Sequence, residues 1–155
     1  MRVREAAFSD IPAMTDTMVQ SFRSAFSGFV SPATMEANTR EENCLQLLEQ
    51  CYNGGTMRFL IADEGGMLIW QPAENGAEIV ALHTRPHTLG TGLGKALLDA
   101  ALAQIGNRPV FLWAFRENHR ALRFYEKNGL VPNGSSRVSE FDGAVEIMLT
   151  RSQNL

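Results

Sequence analysis

Apolar and polar residues alternate along much of this chain, in the short blocks that are typical of β-strands. The alternation predicts strands at 2–6, 57–62, 67–71, 78–84, 130–138 and 145–150. A largely apolar run at 109–115 predicts a central strand that is buried on both faces. Asp63–Gly66 has the composition of a hairpin turn, and the last two strands could pair across Asp142–Gly143.

Between these strands, longer stretches have helical start and stop signals. The signals predict helices at 10–22, 33–52, 92–105 and 118–128. Pro12 stands in the first turn of the first helix, a loop follows at 23–30, and Ser31-Pro32 opens the second helix. Gly129 stops the last helix. The predicted order is βααβββαβαββ, an α/β fold in which one mixed sheet carries helices on both faces.

Length and composition narrow the classes of protein. The 155 residues fit a single domain, 1–155, with 45% hydrophobic and 20% charged residues. The net charge of −3 and the lack of a Lys/Arg cluster argue against a nucleic-acid partner. The charged first residues do not resemble a signal peptide, and no apolar run has the length of a membrane span, so we expect no membrane contact and a cytoplasmic protein. Cys44 and Cys51 match no common zinc spacing, so no metal site is expected.

A glycine-rich junction between a predicted strand and a predicted helix is the strongest chemical feature. Gly90, Gly92 and Gly94 alternate there, and their backbone N–H groups are not shielded by side chains. Together with the positive end of the helix, these groups form an anion site, and Lys95 adds a cation in the first turn. On this feature alone, a phosphate loop and a tightly packed turn are about equally plausible.

Two common nucleotide motifs do not fit this junction. A P-loop requires glycine where Leu89 stands and serine or threonine where Ala96 stands. A dinucleotide fingerprint that starts at Gly90 requires glycine where Lys95 stands. These mismatches weaken the interpretation of the chain as an unrelated nucleotide-binding domain.

Two blocks of the sequence resemble the GNAT superfamily of N-acetyltransferases. The strand at 78–84 and the string Leu89-Gly-Thr-Gly-Leu-Gly94 are similar to its motif A, with leucine where glutamine or arginine is usual. The block from Asn118 to Gly129 is similar to its motif B, Asn-x-x-Ala-x-x-Phe-Tyr-Glu-x-x-Gly, and matches it throughout. The resemblance spans nearly the whole chain and implies a GNAT-like mixed sheet whose central parallel strands, 78–84 and 110–115, splay apart.

The resemblance also implies acetyl-CoA as co-substrate and a set of residues that bind it. The strand residues whose backbone would pair with the pantetheine arm are Leu82, His83 and Thr84. The loop residues expected at the pyrophosphate are Leu89, Gly90, Thr91, Gly92, Leu93, Gly94 and Lys95. Asn118 would reach the pantetheine, and Phe124 would pack near the cofactor.

The same resemblance assigns chemical roles. Tyr125 stands where the family places the general acid for the leaving thiolate, and Glu78 is a candidate base, acting directly or through water. Strict alternation puts Glu78 and His83 on opposite faces of their strand unless a bulge intervenes, and a packing role is favoured for His83. Backbone N–H groups near Leu82–Thr84 are candidate donors to the oxyanion. The aromatic residues expected to line the acceptor slot are Phe26, Phe29 and Trp70, with Phe22, Trp113 and Phe115 nearby.

The resemblance implies an N-acetyltransferase that moves the acetyl group of acetyl-CoA to a primary amine by direct attack in a ternary complex. The acceptor could be a small molecule or a protein N-terminus. The alternative is a non-catalytic acyl-CoA-binding sensor or interaction module. A homodimer is allowed, since proteins of this superfamily often dimerise.

Overall fold

The computed structural model describes residues 2–151, which form a mixed sheet with helices on both faces. The strands are β1 (Val3–Glu5), β2 (Arg58–Ala62), β3 (Gly66–Ala73), β4 (Gly76–Thr84), β5 (Val110–Phe115), β6 (Val131–Val138) and β7 (Val145–Arg151). The α-helices are α1 (Ile11–Phe26), α2 (Pro32–Asn38), α3 (Glu41–Asn53), α4 (Leu93–Ile105) and α5 (His119–Lys127). Short 3₁₀ turns precede α1 at Phe8–Asp10 and follow β4 at Pro86–Thr88.

The strands lie in the order β1-β2-β3-β4-β5-β7-β6, and all neighbours are antiparallel except β4 and β5. The parallel pair has only two register positions, Ala77 with Val110 and Glu78 with Phe111. Beyond them β4 continues to pair with β3 as far as Thr84, and β5 with β7 as far as Phe115. The central parallel strands therefore splay apart, and the predicted fold class is confirmed.

Each face of the sheet has its own hydrophobic core. On one face, α4 and α5 pack through Leu97, Leu98 and Tyr125 against strand residues such as Leu68 and Leu112. The other core joins α1 and α3 to the strands through Ile11, Met14, Leu48, Met67 and Ile69. We call these two sides the α4/α5 face and the α1/α3 face.

Two helix boundaries differ from the prediction. The first helix continues past Phe22 to Phe26, because no helix-breaking residue lies between Phe22 and Gly28 and because the Phe22 and Phe26 rings pack edge to face with centroids 4.4 Å apart.

The predicted helix at 33–52 is in fact two helices, interrupted at Thr39 and Arg40. The Asn38 amide and the Thr39 hydroxyl donate to the carbonyls four residues earlier, those of Thr34 and Met35. Such side-chain bonds compete with the helical backbone and favour its end at this point.

A β-bulge in β4 changes which residues share a face. Trp70 of β3 pairs with Ile79, whereas the preceding residue Ile69 pairs with Ala81, so Val80 is the extra residue. The expectation that Glu78 and His83 lie on opposite faces is therefore wrong. Both lie on the α1/α3 face: Glu78 is bonded to Gln71, and His83 is bonded to Ser21 of α1.

Candidate active site

A cleft of about 340 Å³ passes through the gap between the splayed strands. On the α4/α5 face its walls include Leu82, Asn118 and Tyr125, and on the α1/α3 face they include Phe26 and Phe115. Because the strands separate toward their carboxyl ends, the cleft opens beside the loop that follows β4. The glycine-rich loop follows the carboxyl end of β4, the end toward which the gap widens.

The loop between β4 and α4 presents a group of unused backbone donors. Gly90 and Gly92 have φ of +81° and +87°, and a Cβ at Gly90 would have no atom within 4 Å. Within residues 2–151, the N–H groups without a protein acceptor include those of Gly90 and Gly92 and the first helical amides from Leu93 to Lys95. They meet at the positive end of α4, which is the geometry of a phosphate site.

Three other features of this loop refine the expected contacts. The Thr91 N–H donates to the Thr88 carbonyl at 3.2 Å, so this amide already has an acceptor within the loop. The Lys95 ammonium pairs with Asp99 one turn further along α4, at 2.8 Å, and so its charge is partly neutralised there. The Leu89 side chain is 43% exposed.

Phe124 packs from α5 against the start of α4. Its ring would lie 3.4 Å from a Cβ at Gly94, so the glycine allows the two helices to approach closely. This contact places the aromatic ring beside the amide-bearing first turn of α4.

The edge of β4 beyond Glu78 has no pairing with β5, and it includes Leu82, His83 and Thr84. The His83 side chain lies in the cleft, with Nδ1 3.1 Å from the Ser21 hydroxyl. Burial lowers the pKa of His83 to about 4, so the imidazole is neutral at pH 7.

Asn118 and Tyr125 enter the cleft from the two ends of α5. Asn118 caps the helix, since its Oδ1 accepts from the N–H of Ala121 at 3.3 Å. Burial raises the pKa of the Tyr125 hydroxyl above its usual value, so it remains protonated at neutral pH. Within the described residues, every fully buried side-chain polar atom has a hydrogen-bond partner. The Tyr125 hydroxyl has no such partner among these residues, so it is not fully buried, and its oxygen is open to the cleft.

Glu78 lies just beyond the cleft, at the point where β4 and β5 are still paired. Its Oε1 accepts a hydrogen bond from Gln71 at 3.1 Å. The carboxylate is thus next to the narrow end of the gap, on the α1/α3 face.

Aromatic rings form the wall of the cleft on this face. Phe115 of β5 contacts Phe26 at 5.0 Å and Phe29 at 5.2 Å between ring centroids. Phe26 lines the cleft directly, and Phe29 supports it from behind. Trp70 does not belong to this wall: it is 4% exposed in the α4/α5 core, where its indole N–H donates to Gln104 at 2.8 Å. The alternation of side chains along β3 turns Trp70 toward the α4/α5 core, and the sequence pattern did not show which face of the strand this residue would occupy.

Phe141 and Glu146 are among the cleft residues that were not identified from the sequence. Phe141 is in the turn between β6 and β7 and contacts Phe115 at 5.6 Å. Glu146 of β7 lies opposite Phe115 in the sheet and lines the same wall. Their position depends on β7 lying between β5 and β6, and the spacing of single residues carries no signal for that order.

Comparisons with known proteins agree with this geometry. The model of the acetyltransferase (GNAT) family matches residues 16–130. The peptidyl-lysine N-acetyltransferase YiaC of Escherichia coli (strain K12) is 24% identical over 127 residues, which cover 82% of this chain and 81% of that protein.

Solved structures show the same fold. The PaiA N-acetyltransferase of Thermoplasma acidophilum in complex with coenzyme A superposes with a TM-score of 0.73 at 20% identity, covering 95% of this chain and 96% of that one. The ribosomal-protein-S18-alanine N-acetyltransferase of Escherichia coli gives a TM-score of 0.69 at 16% identity, with 99% and 94% covered.

The chain belongs to the acetyltransferase (GNAT) family, because the family model matches most of its length. It is an acetyl-CoA-dependent N-acetyltransferase, and the free amides at the start of α4 fit the phosphates of that co-substrate. None of the helices within residues 2–151 is long and apolar enough to cross a membrane.

Proposed function

We propose that the chain transfers the acetyl group of acetyl-CoA to a primary amine by direct attack in a ternary complex. The observation that carries this proposal is the gap between β4 and β5, which opens beside the phosphate loop and reaches the aromatic wall on the other face. The pantetheine arm enters along the edge of β4, and the amine enters from the α1/α3 face. The two reactants therefore meet inside the sheet.

Direct attack is also supported by the protonation of Cys44, the one cysteine in the described cleft wall. Cys44 lines the cleft, but burial raises the pKa of its thiol, so it is a poor nucleophile at neutral pH. A covalent acyl-enzyme through this residue is disfavoured. The simpler route brings the amine directly to the thioester.

In the proposed reaction the amine nitrogen attacks the thioester carbonyl carbon, and the C–S bond breaks. Backbone N–H groups near Leu82–Thr84 stabilise the negative charge that develops on the carbonyl oxygen. Tyr125 gives its proton to the leaving sulfur; the phenol is protonated at neutral pH, and its hydroxyl is open to the cleft. The Asn118 side-chain amide, which has no protein acceptor within the described residues, is free to hold the pantetheine.

The proton that the amine loses passes to Glu78, directly or through a water molecule. The bulge at Val80 supports this role, because it turns Glu78 to the face from which the amine arrives. One carboxylate oxygen is bonded to Gln71, and the other has no protein partner within the described residues.

For the acceptor we propose a primary amine of a small molecule or of a protein N-terminus. Two of the relatives, the peptidyl-lysine and the S18-alanine N-acetyltransferases, act on protein amines, which keeps a protein acceptor among the candidates. We further propose a cytoplasmic protein, which the free thiols of Cys44 and Cys51 suit, and a homodimer, which light scattering after gel filtration would test.

A paired substitution of the chain's two tyrosines tests the mechanism. Tyr125→Phe should lower kcat by about 10²-fold or more, the usual contribution of a general acid, and should leave the Kd for acetyl-CoA unchanged. Tyr52→Phe is the matched control, because the Tyr52 hydroxyl donates to the Ala6 carbonyl, outside the cleft. Thiol release over a panel of amines measures kcat, and calorimetry measures Kd.

Two results would contradict the proposal. Undiminished turnover by Tyr125→Phe would exclude Tyr125 as the acid. If the wild-type protein bound acetyl-CoA but released no thiol with any amine, the chain would be a cofactor sensor instead of an enzyme.

A further inference from the structure

The acceptor side of the cleft is lined mainly by apolar side chains, and His83 and Glu146 are among its polar members. Phe22, Phe26 and Phe141 line it together with Met18 and Leu47. The phenylalanine rings contact one another edge to face or tilted, with centroids 4.4 to 5.6 Å apart. A group that enters this space meets aromatic surface on several sides.

Phe141 is held in this wall by its neighbour. The Asp142 carboxylate accepts from the Ser31 N–H at 2.5 Å and from the hydroxyls of Ser31 and Thr34 at the start of α2. These bonds lower the pKa of Asp142, so it is ionised at neutral pH. The β6–β7 turn is thereby fixed to the start of α2, and Phe141 completes the aromatic wall.

Charge in the cleft is confined to one residue of the described lining, Glu146. Its side chain is 15% exposed and pairs with Arg137 at 3.1 Å. Arg137 in turn stacks over the Trp113 ring at 4.2 Å from the centroid. A substrate carboxylate in this part of the cleft would be repelled by the Glu146 carboxylate and would find Arg137 already paired with it.

The volume of the cleft leaves room for one bulky group of the acceptor. An apolar cavity of about 150 Å³ is enough to hold one benzene ring. The cleft here has about 340 Å³, and part of that space is taken by the pantetheine arm. The remaining space fits one ring or a branched aliphatic group of similar size, next to the reacting amine.

Resting on the function proposed above, we propose that the acceptor is a small primary amine that bears one aromatic or similarly bulky apolar group and no carboxylate. The aromatic wall binds the apolar group, and Glu146 with Arg137 selects against an acid. Phe26, Phe141 and Glu146 are then the residues that determine specificity.

Matched amines test this proposal at saturating acetyl-CoA. Phenethylamine should have a kcat/KM at least about tenfold above those of L-phenylalanine and putrescine, which differ from it by a carboxylate and by the loss of the ring. A short peptide with a free N-terminus should also be a poorer acceptor. Preference for L-phenylalanine, putrescine or the peptide would overturn the proposal.

Three variants locate the selectivity in these residues. Phe26→Ala and Phe141→Ala should raise the KM for phenethylamine by about tenfold and leave the KM for acetyl-CoA unchanged. Phe8→Ala is the control, since Phe8 is 46% exposed and packs against Tyr52 away from the cleft. Glu146→Gln removes the carboxylate that pairs with Arg137, and it should raise the kcat/KM for L-phenylalanine relative to that for phenethylamine. If Phe141→Ala fails to fold, Phe141→Leu keeps apolar volume and should show a smaller rise in KM.

A binding measurement separates this proposal from the transferase proposal. If no amine releases thiol, but phenethylamine raises the melting temperature of the CoA-bound protein and Phe141→Ala abolishes that rise, the acceptor site stands and the transferase reaction fails. If another amine is acetylated while phenethylamine is neither bound nor acetylated, the acceptor proposal fails alone. An equal rise in the KM for phenethylamine in Phe8→Ala and Phe141→Ala would also refute it.

Discussion

Gly90 gives the most direct test of the phosphate loop, because its backbone and its surroundings impose separate costs. Its φ is +81°, and a Cβ built on it has no atom within 4 Å. Gly90→Ala therefore adds no clash with the protein. It adds the left-handed backbone penalty, about 1–2 kcal/mol for a residue with a Cβ.

This penalty must be met whenever the loop has its cofactor-binding shape. If the loop of the variant relaxes in the free protein, the strain returns on binding and weakens the Kd for acetyl-CoA by about 5- to 30-fold. If the loop does not relax, the penalty reduces the free energy of unfolding instead. In both cases the Cβ fills the open space above Gly90, where the phosphates would lie, so a further loss of affinity follows.

Gly134→Ala is the matched control for this measurement. Gly134 has φ of +93°, and a Cβ at this position would also have no atom within 4 Å, but the residue lies in the edge strand β6. We expect the substitution to lower stability without changing the Kd. Calorimetric titration with acetyl-CoA and denaturant unfolding measure the two quantities. If Gly90→Ala binds acetyl-CoA as tightly as Gly134→Ala, the loop is not the phosphate site.

Two further predictions concern stability. A Cβ at Gly76 would overlap the Pro109 carbonyl oxygen, so Gly76→Ala should lower the free energy of unfolding, measured in urea, by about 1–3 kcal/mol. A Cβ at Gly28 would have no atom within 4 Å, so Gly28→Ala should leave the free energy of unfolding unchanged. An equal loss of stability in the two variants would refute this reasoning. Since burial lowers the pKa of His83 from 6.5 to about 4, only the unfolded chain gains a proton at this residue between those values. Stability should therefore fall as the pH drops through that window, and His83→Gln should flatten the fall; an unchanged slope in the variant would exclude His83 as its source.

Local features of the site were predictable from the sequence, because they depend on residues close together in the chain. The turn from β4 into α4 is set by glycines that allow positive φ, and the cap of α5 is set by Asn118. Amphipathic spacing likewise places Tyr125 on the buried face of its helix. These are short-range consequences of backbone geometry.

Features that depend on strands distant in the chain were not predictable. Strict alternation assigned Glu78 and His83 to opposite faces, and a single bulge reversed that assignment. Trp70 has the composition of a pocket residue, but the register of β3 turns it into the core under α4. Phe141 and Glu146 reach the cleft only because β7 lies beside β5.

The gap between β4 and β5 persists because the two parts of the sheet are each complete without it. β4 remains paired with β3 along its length, and β5 remains paired with β7. The separation of β4 from β5 therefore disrupts neither of these two pairings. The two parts meet through the short parallel pairing at the narrow end, where the Gly76 backbone lies against Pro109. A pantetheine arm has amide groups that can bond to both free edges, as an inserted strand would. In the proposed ternary complex, the energetic cost of leaving these edges unpaired in the free protein would be recovered when the arm binds.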